Sequence, residues 1–210
     1  MISISNTKKG ITLIESVVSI AILSVAITGP MALAAHSIKA SGAARNELIA
    51  THLAEEGLEI VRNMRDNKSA EDGSDRKNEN GNNWMVDIFS KCSAYLGCAV
   101  DATAHASVDV WNHEMTAGAI IPCQSDCSQQ SVVYLNPGTG LYRQSMASLG
   151  APWVRTQFRR TILLEGVDDL LAPKREVRVT STVTFPGYGG TSRTISVSQS
   201  IFNWFPYLHF

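Results

Sequence analysis

The feature that most constrains the fold of this chain is an uncharged run of 20 residues near its N-terminus, from Ser16 to Ala35. A helix of this length, with a rise of about 1.5 Å per residue, spans roughly 30 Å, the thickness of the hydrocarbon core of a bilayer. One acid, Glu15, directly precedes the run, and it is the only charged residue between Gly10 and Ile38. A charge deep in a bilayer costs about 2.5–3.5 kcal/mol, so this acid calls for a partner.

Two conventional interpretations compete for this segment. A secretory signal peptide would be cleaved near MALAAHS, from Met31 to Ser37, but its apolar core is usually only about 7–15 residues long. A plain transmembrane anchor explains the length of the run and leaves Glu15 unexplained. Both stay open as alternatives at this point.

The stretch KKGITLIES, from Lys8 to Ser16, resembles the leader and N-methylation site of type IV pilins and type II secretion pseudopilins. The match consists of basic residues before Gly10, then an apolar residue and the sequence TLIE. This resemblance implies that a prepilin peptidase removes residues 1–10 and methylates the new N-terminus at Ile11. Phenylalanine is commonest at that first mature position, so isoleucine there indicates a minor pilin or pseudopilin.

The resemblance also implies a role for Glu15. In filaments of this family the carboxylate faces the methylated amine of a neighbouring subunit, and an ion pair about 4 Å apart offsets much of the desolvation of both groups. Glu15 is therefore predicted to set the register of assembly. Gly29 and Pro30 predict a kink or local unwinding, because proline removes one helical hydrogen bond. An ordinary membrane-helix proline is the alternative.

The pattern after the apolar run predicts the rest of the architecture. Residues 11–38 form the membrane or filament-core part of one long helix, residues 39–66 form its amphipathic half, and residues 67–210 form an extracytoplasmic head. Apolar residues in the amphipathic half recur with the 3.6-residue period of a helix that packs under a sheet. A short coiled coil is the alternative. The positions are Ile49, Leu53, Ile60 and Met64, with Gly57 in the same row and Leu48 and Val61 beside it.

Within the head, residues 67–130 are predicted to be a loop region with cysteines and residues 131–210 an antiparallel sheet. The resulting fold class is α+β and pilin-like. The alternating strands also resemble, more loosely, the C-terminal sheet of PilV-like minor pilins. The aromatic tail, Phe202 to Phe210, is expected either to fold back into the core or to form an exposed adhesive patch.

Four cysteines lie between Trp84 and Gln130, and their spacings differ from the C-x2-C pairs that zinc favours. An even number in a segment outside the cytoplasm predicts two disulfides, with local pairing favoured among the three possible pairings. The polar stretch Asp66 to Asn83 lacks the spacing of a calcium loop. We expect no metal and no cofactor, and we assign His105 and His113 to the surface. The disulfide candidates are Cys92, Cys98, Cys123 and Cys127.

The sequence contains no recognisable catalytic motif, so a structural role is expected and an enzyme is not. The resemblance implies other pilins or pseudopilins, the prepilin peptidase, an inner-membrane assembly platform and, before assembly, membrane lipid as partners. It also implies a single-pass inner-membrane protein that enters an extracellular or periplasmic filament. The alternative is a pilus-borne adhesin or a DNA-uptake subunit. Nucleic-acid binding would require a contiguous basic strip from Arg155, Arg159, Arg160, Lys174, Arg175 and Arg178.

Overall fold

The structure of the chain is a computed structural model that describes residue 10 and residues 12–72, 83–92, 97–101, 120–123, 127–144, 152–167 and 176–202. The chain divides into two compact units, Met1–Ala44 and Arg45–Phe210, and each is described here by itself.

A long helix, α1 (Leu13–Asp72), dominates the N-terminal third of the chain. The backbone N–H groups of Glu15 and Ser16 donate to the carbonyl oxygen of Thr12 (3.0 and 3.2 Å), which fixes the first turn. In the second unit, α1 buries one face at intervals of three and four residues, as an amphipathic helix does. The buried positions are Ala50, Leu53, Ala54, Gly57, Leu58, Ile60, Val61 and Met64.

A second helix and seven antiparallel strands follow α1 in the part of the chain that the structure describes. The strands form one sheet in the order β2-β1-β5-β3-β4, and β6 and β7 continue it from the other edge of β5. The elements are α2 (Asn83–Cys92), β1 (Cys98–Val100), β2 (Ile120–Pro122), β3 (Val132–Leu135), β4 (Tyr142–Arg143), β5 (Val154–Gly166), β6 (Glu176–Pro186) and β7 (Ser192–Phe202).

Strand β5 is the centre of the sheet. On one edge it pairs with β3 near Arg159 and with β1 at Ile162, and on the other edge it pairs with β6 from Arg159 to Gly166. Side chains alternate between a buried and a wetter face along β5 and β6, as the period-2 pattern predicts. The buried faces of these strands cover the apolar stripe of α1.

The helix and the strand β7 run side by side in the same direction. Arg193 near the start of β7 pairs with Glu47, and Arg62 donates to Gln199 near the end of β7. The 15 residues between the two helix positions span about 22 Å, and the six residues between the two strand positions span about 20 Å. The two elements are therefore nearly parallel.

The α+β architecture, a long N-terminal helix followed by an antiparallel sheet, agrees with the prediction. The coiled-coil alternative is wrong, because the stripe on α1 packs against the sheet. The helix also extends past the predicted end at residue 66, since helix-compatible polar residues continue until Gly73. Leu48, expected beside the stripe, is exposed.

The region predicted to be loop contains regular structure. Helix α2 and strands β1 and β2 lie between residues 83 and 122. The three-residue strands are too short to show a hydrophobic period. Helix α2 does carry one, and the loop prediction did not use this signal: its apolar residues are Trp84, Ile88 and Cys92, with Met85 and Phe89 beside them. By contrast, the predicted hairpin around Asn136 is confirmed, because β3 pairs with β4 and the side chain of Asn136 accepts a hydrogen bond from the N–H of Gly138 (2.9 Å).

Candidate functional site

The N-terminal part of α1 presents apolar side chains on every side. Its large aliphatic residues are at least half exposed within this chain. The stretch is long and apolar enough to cross a membrane, judged by length and composition. Such a surface in water is unfavourable, so it requires either lipid or other protein around it. The exposed residues include Leu13, Ile14, Val17, Val18, Ile20, Ile22, Leu23, Val25, Ile27, Met31, Leu33 and Ile38.

Glu15 lies in the first turn of this apolar helix. A carboxylate at a helix N-terminus is favoured by the helix dipole, because the unpaired N–H groups carry partial positive charge. Gly10 is exposed, and residues 1–9 and Ile11, which carry the rest of the predicted cleavage site, lie outside the described residues.

The predicted helix break is not seen as an interruption of α1. The helix continues through Gly29 and Pro30, and no atom beyond the local backbone lies within 4 Å of the position of a Cβ on Gly29. Proline still leaves one helical carbonyl without its usual N–H donor. A break at these residues in an assembled filament stays a prediction.

Gly57 allows α1 to approach the sheet closely. A Cβ atom at this position would lie 2.6 Å from Oγ of Ser181 on β6 and 2.7 Å from Cδ1 of Ile162 on β5. Both distances are shorter than van der Waals contact, so a larger residue requires the helix or the strands to move. The sequence-based prediction that Gly57 permits close approach is confirmed.

One turn of α1 is also joined to the sheet through Arg160 of β5, whose side chain is 1% exposed. Its Nη1 donates to a carboxylate oxygen of Glu56 (2.6 Å) and to the carbonyl oxygen of Leu53 (3.0 Å). Its Nη2 donates to the carbonyl oxygen of Val100 (2.9 Å), and its Nε donates to Oε1 of Gln144 (2.7 Å). The guanidinium thus connects α1, β1 and β5.

The cost of burying the charge of Arg160 is partly offset by nearby carboxylates. Burial lowers the pKa of its guanidinium below the ordinary value, while the carboxylates of Glu56 and Asp101 act in the opposite direction. Breaking such a buried pair strands a charge in the protein interior. Arg160 therefore acts as a fixed cationic tie between the helix and the sheet.

Gln144 closes a gap in the sheet where β1 and β3 meet the same edge of β5. Its Nε2 donates to the carbonyl oxygens of Ser131 (3.0 Å) and Arg160 (2.8 Å). The side chain thus supplies the donor that the backbone of a neighbouring strand would otherwise supply. Asp101, which is fully buried, lies 3.5 Å from Nε of Arg143. The guanidinium of Arg143 in turn lies 5.0 Å from the ring centroid of Trp153.

Strand alternation alone places Arg160 on the same face as Phe158 and Ile162, which is the dry face. The sequence therefore contained a signal that this arginine is buried. Its hydrogen-bond partners could not be identified in the same way. Gln144 and Val100 lie in other strands or loops, and the sequence pattern does not show how these lie against β5.

The cysteines form two local disulfides, Cys92–Cys98 and Cys123–Cys127, with Cα–Cα distances of 4.7 and 5.0 Å. The first joins the end of α2 to the start of β1. Gly97, just before β1, has φ = +74°, and a Cβ there would lie 2.5 Å from the carbonyl oxygen of Ile162. The disulfide and the glycine together hold β1 against β5.

The basic strip expected of a nucleic-acid-binding subunit is not contiguous among the described residues. Arg160 is buried, which corrects its assignment to a surface strip. Arg159 and Arg178 are exposed as predicted, but Arg159 is opposite Thr184 and Arg178 is opposite Glu165, at the two ends of the β5–β6 pairing. Several residues and segments singled out in the sequence lie outside the described residues: Lys174, Arg175, His105, His113, residues 73–82 and the tail after Phe202.

Comparison with known proteins agrees with the N-terminal part of this interpretation. The family model described as the prokaryotic N-terminal methylation motif matches residues 5–29. That match supports a type IV pilin-like chain, and it covers the segment that holds Gly10, Glu15 and the first 14 residues of the apolar run. No curated protein and no solved structure matches the chain significantly.

Proposed function

We propose that this protein is a minor pilin or pseudopilin, a structural subunit of a type IV pilus or of a type II secretion-like filament. The observation that carries the proposal is the methylation motif over residues 5–29, at the start of a helix whose apolar side chains are exposed. A structural subunit needs such a surface because it must leave lipid and pack among other helices.

The proposed maturation step is hydrolysis of the peptide bond between Gly10 and Ile11 by a prepilin peptidase, followed by methylation of the new amino group. The mature chain then begins four residues before Glu15. In the filament this carboxylate accepts a hydrogen bond from the methylated ammonium group of a neighbouring subunit and pairs with its charge. Because the charged pair is isolated in apolar surroundings, only the register that brings both charges together is favourable.

The head has a different role in this proposal. It stays outside the cytoplasm, where the two disulfides are stable. The buried tie between Arg160 and Glu56 keeps the head attached to α1 as the helix moves from membrane to filament. In this proposal the N-terminal part of α1 serves assembly, and its C-terminal part carries the head outside the cytoplasm.

The experiment that tests the proposal is the intact mass of the protein purified from membranes of a host with an active prepilin peptidase. We expect loss of residues 1–10 and one added methyl group on Ile11. Retention of the first ten residues, or cleavage near Ala35, would contradict the proposal. The variant Gly10→Val, which blocks access of the scissile bond to a peptidase that requires glycine, serves as the uncleaved control.

A further inference from the structure

Strands β5, β6 and β7 present a regular face on the side of the sheet opposite α1. The three strands pair without a shift in register from Arg159 to Gly166 of β5 and along the whole of β7. Side chains on the other side belong to the core clusters that α1 covers. The solvated side is termed the outer face, and it contains four cross-strand rows. The rows are Arg159–Thr184–Thr194, Thr161–Thr182–Ser196, Leu163–Thr180–Ser198 and Glu165–Arg178–Ser200.

Hydroxyl groups form a line along β6 and β7 on this face. Three pairs of hydroxyls are hydrogen-bonded across the two strands at 3.0–3.4 Å, and successive pairs are two residues apart, or about 7 Å. Each pair uses one O–H in its mutual bond, so the second O–H and several lone pairs stay available. The outer face therefore offers repeated donors and acceptors to a ligand rich in hydroxyls. The pairs are Thr180–Ser198, Thr182–Ser196 and Thr184–Thr194.

The charges of the outer face lie at its two ends. At one end Glu165 is opposite Arg178, so the two charges balance. At the other end Arg159 is exposed, and so is Arg155, four residues earlier on β5. Among the described residues no carboxylate forms an ion pair with either arginine. The Arg159 guanidinium donates to the carbonyl oxygen of Ser128, which holds it in place and leaves its charge uncompensated.

An aromatic ring lies beside this cationic end. Tyr134 of β3 is opposite Arg155, so both side chains project on the same side of the sheet, and the tyrosine is partly exposed. A tyrosine ring has an apolar body and a polar tip, a combination that suits stacking on a sugar ring. Arg143 flanks the other side of Tyr134, but its side chain is 18% exposed and it pairs with Asp101. The cations open to a ligand here are therefore Arg155 and Arg159.

We propose that the outer face binds an acidic polysaccharide, a chain of sugars with carboxylates on some of its residues. Its carboxylates form charge-assisted hydrogen bonds with Arg155 and Arg159. One sugar ring stacks on Tyr134, and hydroxyls of the following sugars meet the hydroxyl pairs of β6 and β7. This binding role goes beyond filament assembly and does not depend on it.

A single-stranded nucleic acid is a poorer occupant of this face. Every nucleotide carries a phosphate charge, and proteins that bind such strands provide cations along the backbone and aromatic rings for successive bases. The two middle rows of the outer face hold neither a cation nor an aromatic ring. Hydroxyl rows with a cationic end fit a polymer that has many hydroxyls and fewer charges.

The test uses the full chain in micelles of a non-ionic detergent and a short oligogalacturonate as the probe. The matched control probe is the same oligosaccharide with its carboxyl groups converted to methyl esters, which keeps the sugar rings and removes the charge. Titration calorimetry measures both affinities. We expect the acidic probe to bind roughly tenfold or more tightly than the ester, with an advantage that shrinks as salt is added.

Two double variants locate the binding. Arg155→Gln with Arg159→Gln should weaken binding of the acidic probe roughly fivefold or more. Thr182→Val with Ser196→Ala removes one hydroxyl pair and should weaken it roughly threefold or more. The control is Arg193→Gln, which removes the same charge from the side of the sheet where Arg193 pairs with Glu47, and it should leave binding unchanged. Thermal unfolding verifies that each variant is folded.

Four results would overturn the proposal. The acidic probe fails to bind up to its solubility limit, or the esterified probe binds equally well. Either double variant keeps the wild-type affinity, or a single-stranded oligothymidylate of the same charge binds as tightly as the oligogalacturonate. None of these results depends on cleavage after Gly10, so this inference and the proposed function fail separately.

Discussion

The guanidinium of Arg160 lies 2.6 Å from the carboxylate of Glu56, and this contact joins the middle of the sheet to the N-terminal helix across 104 positions of sequence. Because Arg160 is buried and Glu56 is 37% exposed, the two partners differ in what their loss would cost. Four predictions follow from this contact and from the other features of the helix and head.

Removing the buried charge should destabilise the head. Arg160→Met removes one hydrogen-bond donor from each of the carbonyl oxygens of Leu53 and Val100 and from Oε1 of Gln144, and we expect a loss of about 3 kcal/mol in the free energy of unfolding. Glu56→Gln keeps an amide oxygen that accepts a hydrogen bond but leaves the buried guanidinium without this carboxylate, so we expect a loss of roughly 2–3 kcal/mol. Urea unfolding of the purified chain, followed by tryptophan fluorescence, measures both.

The control for this pair is Arg193→Met. Arg193 and Glu47 form a similar contact (2.8 Å) between β7 and α1, but their side chains are 51% and 47% exposed. Exposed ion pairs contribute about 0–1 kcal/mol. Equal unfolding midpoints for Arg160→Met and Arg193→Met would contradict the role of Arg160 as a tie.

Gly57→Ala should destabilise the head despite the better helix propensity of alanine. The new methyl group would overlap Ser181 and Ile162, which we expect to cost about 1–3 kcal/mol, against a gain of about 1 kcal/mol from propensity. Adding Ser181→Ala should recover part of the loss, because it removes the closer of the two atoms. The hydroxyl of Ser181 has no hydrogen-bond partner among the described residues, so its removal alone should be mild.

Gly42→Ala is the matched control for the effect of propensity. No atom beyond the local helix backbone lies within 4 Å of a Cβ there. Its unfolding midpoint should stay unchanged or rise slightly. If Gly57→Ala behaves in the same way as Gly42→Ala in thermal unfolding, the close approach of helix and sheet does not limit the residue at position 57.

Loss of the disulfide between α2 and β1 should lower stability. The double variant Cys92→Ser with Cys98→Ser opens a short loop, for which the chain-entropy estimate is about 2 kcal/mol. Thermal unfolding with and without reductant measures this effect. Peptide mapping of the non-reduced protein should find Cys92 linked to Cys98; a Cys92–Cys123 peptide would show that the pairing is wrong.

Replacing Glu15 should impair assembly and leave processing intact. Glu15→Leu removes the proposed partner of the methylated amine, so the variant should enter filaments several-fold less often than the wild type, a loss on the scale of about 1 kcal/mol or more. Quantitative blotting of sheared filaments measures incorporation, and intact mass verifies cleavage after Gly10. Wild-type incorporation of a correctly processed Glu15→Leu chain would show that this acid has no role in register.

The long elements of the fold could be predicted because their patterns repeat. Strands β5 and β6 alternate over eleven or more residues, and the stripe on α1 recurs through about four turns in the head. Strands β1 and β2 could not be predicted, because three residues of a strand carry no measurable period, whereas the apolar spacing of α2 was a usable signal that the prediction overlooked. Their positions depend on the disulfide at Cys98 and on backbone contact at Gly97.

The residues of the candidate site differ in the same respect, because some lie in a local sequence pattern and others are brought together only by the fold. Gly10 and Glu15 could be proposed from the sequence because they lie in a contiguous motif, which the family model matches over residues 5–29. The network around Arg160 depends on contacts with residues 16, 60 and 104 positions away. The sequence indicates that this arginine is on the dry face, whereas its partners are determined by how the sheet pairs.

The parallel course of α1 and β7 has a mechanical consequence. A tensile load applied along the helix reaches the sheet through Arg160 and Gly57 and acts along the direction of the strands. The hydrogen bonds between β5, β6 and β7 are perpendicular to that direction, so they resist the load together in shear, instead of opening one after another as a zipper does. A load in this direction therefore has to break many of these hydrogen bonds at once before the strands separate.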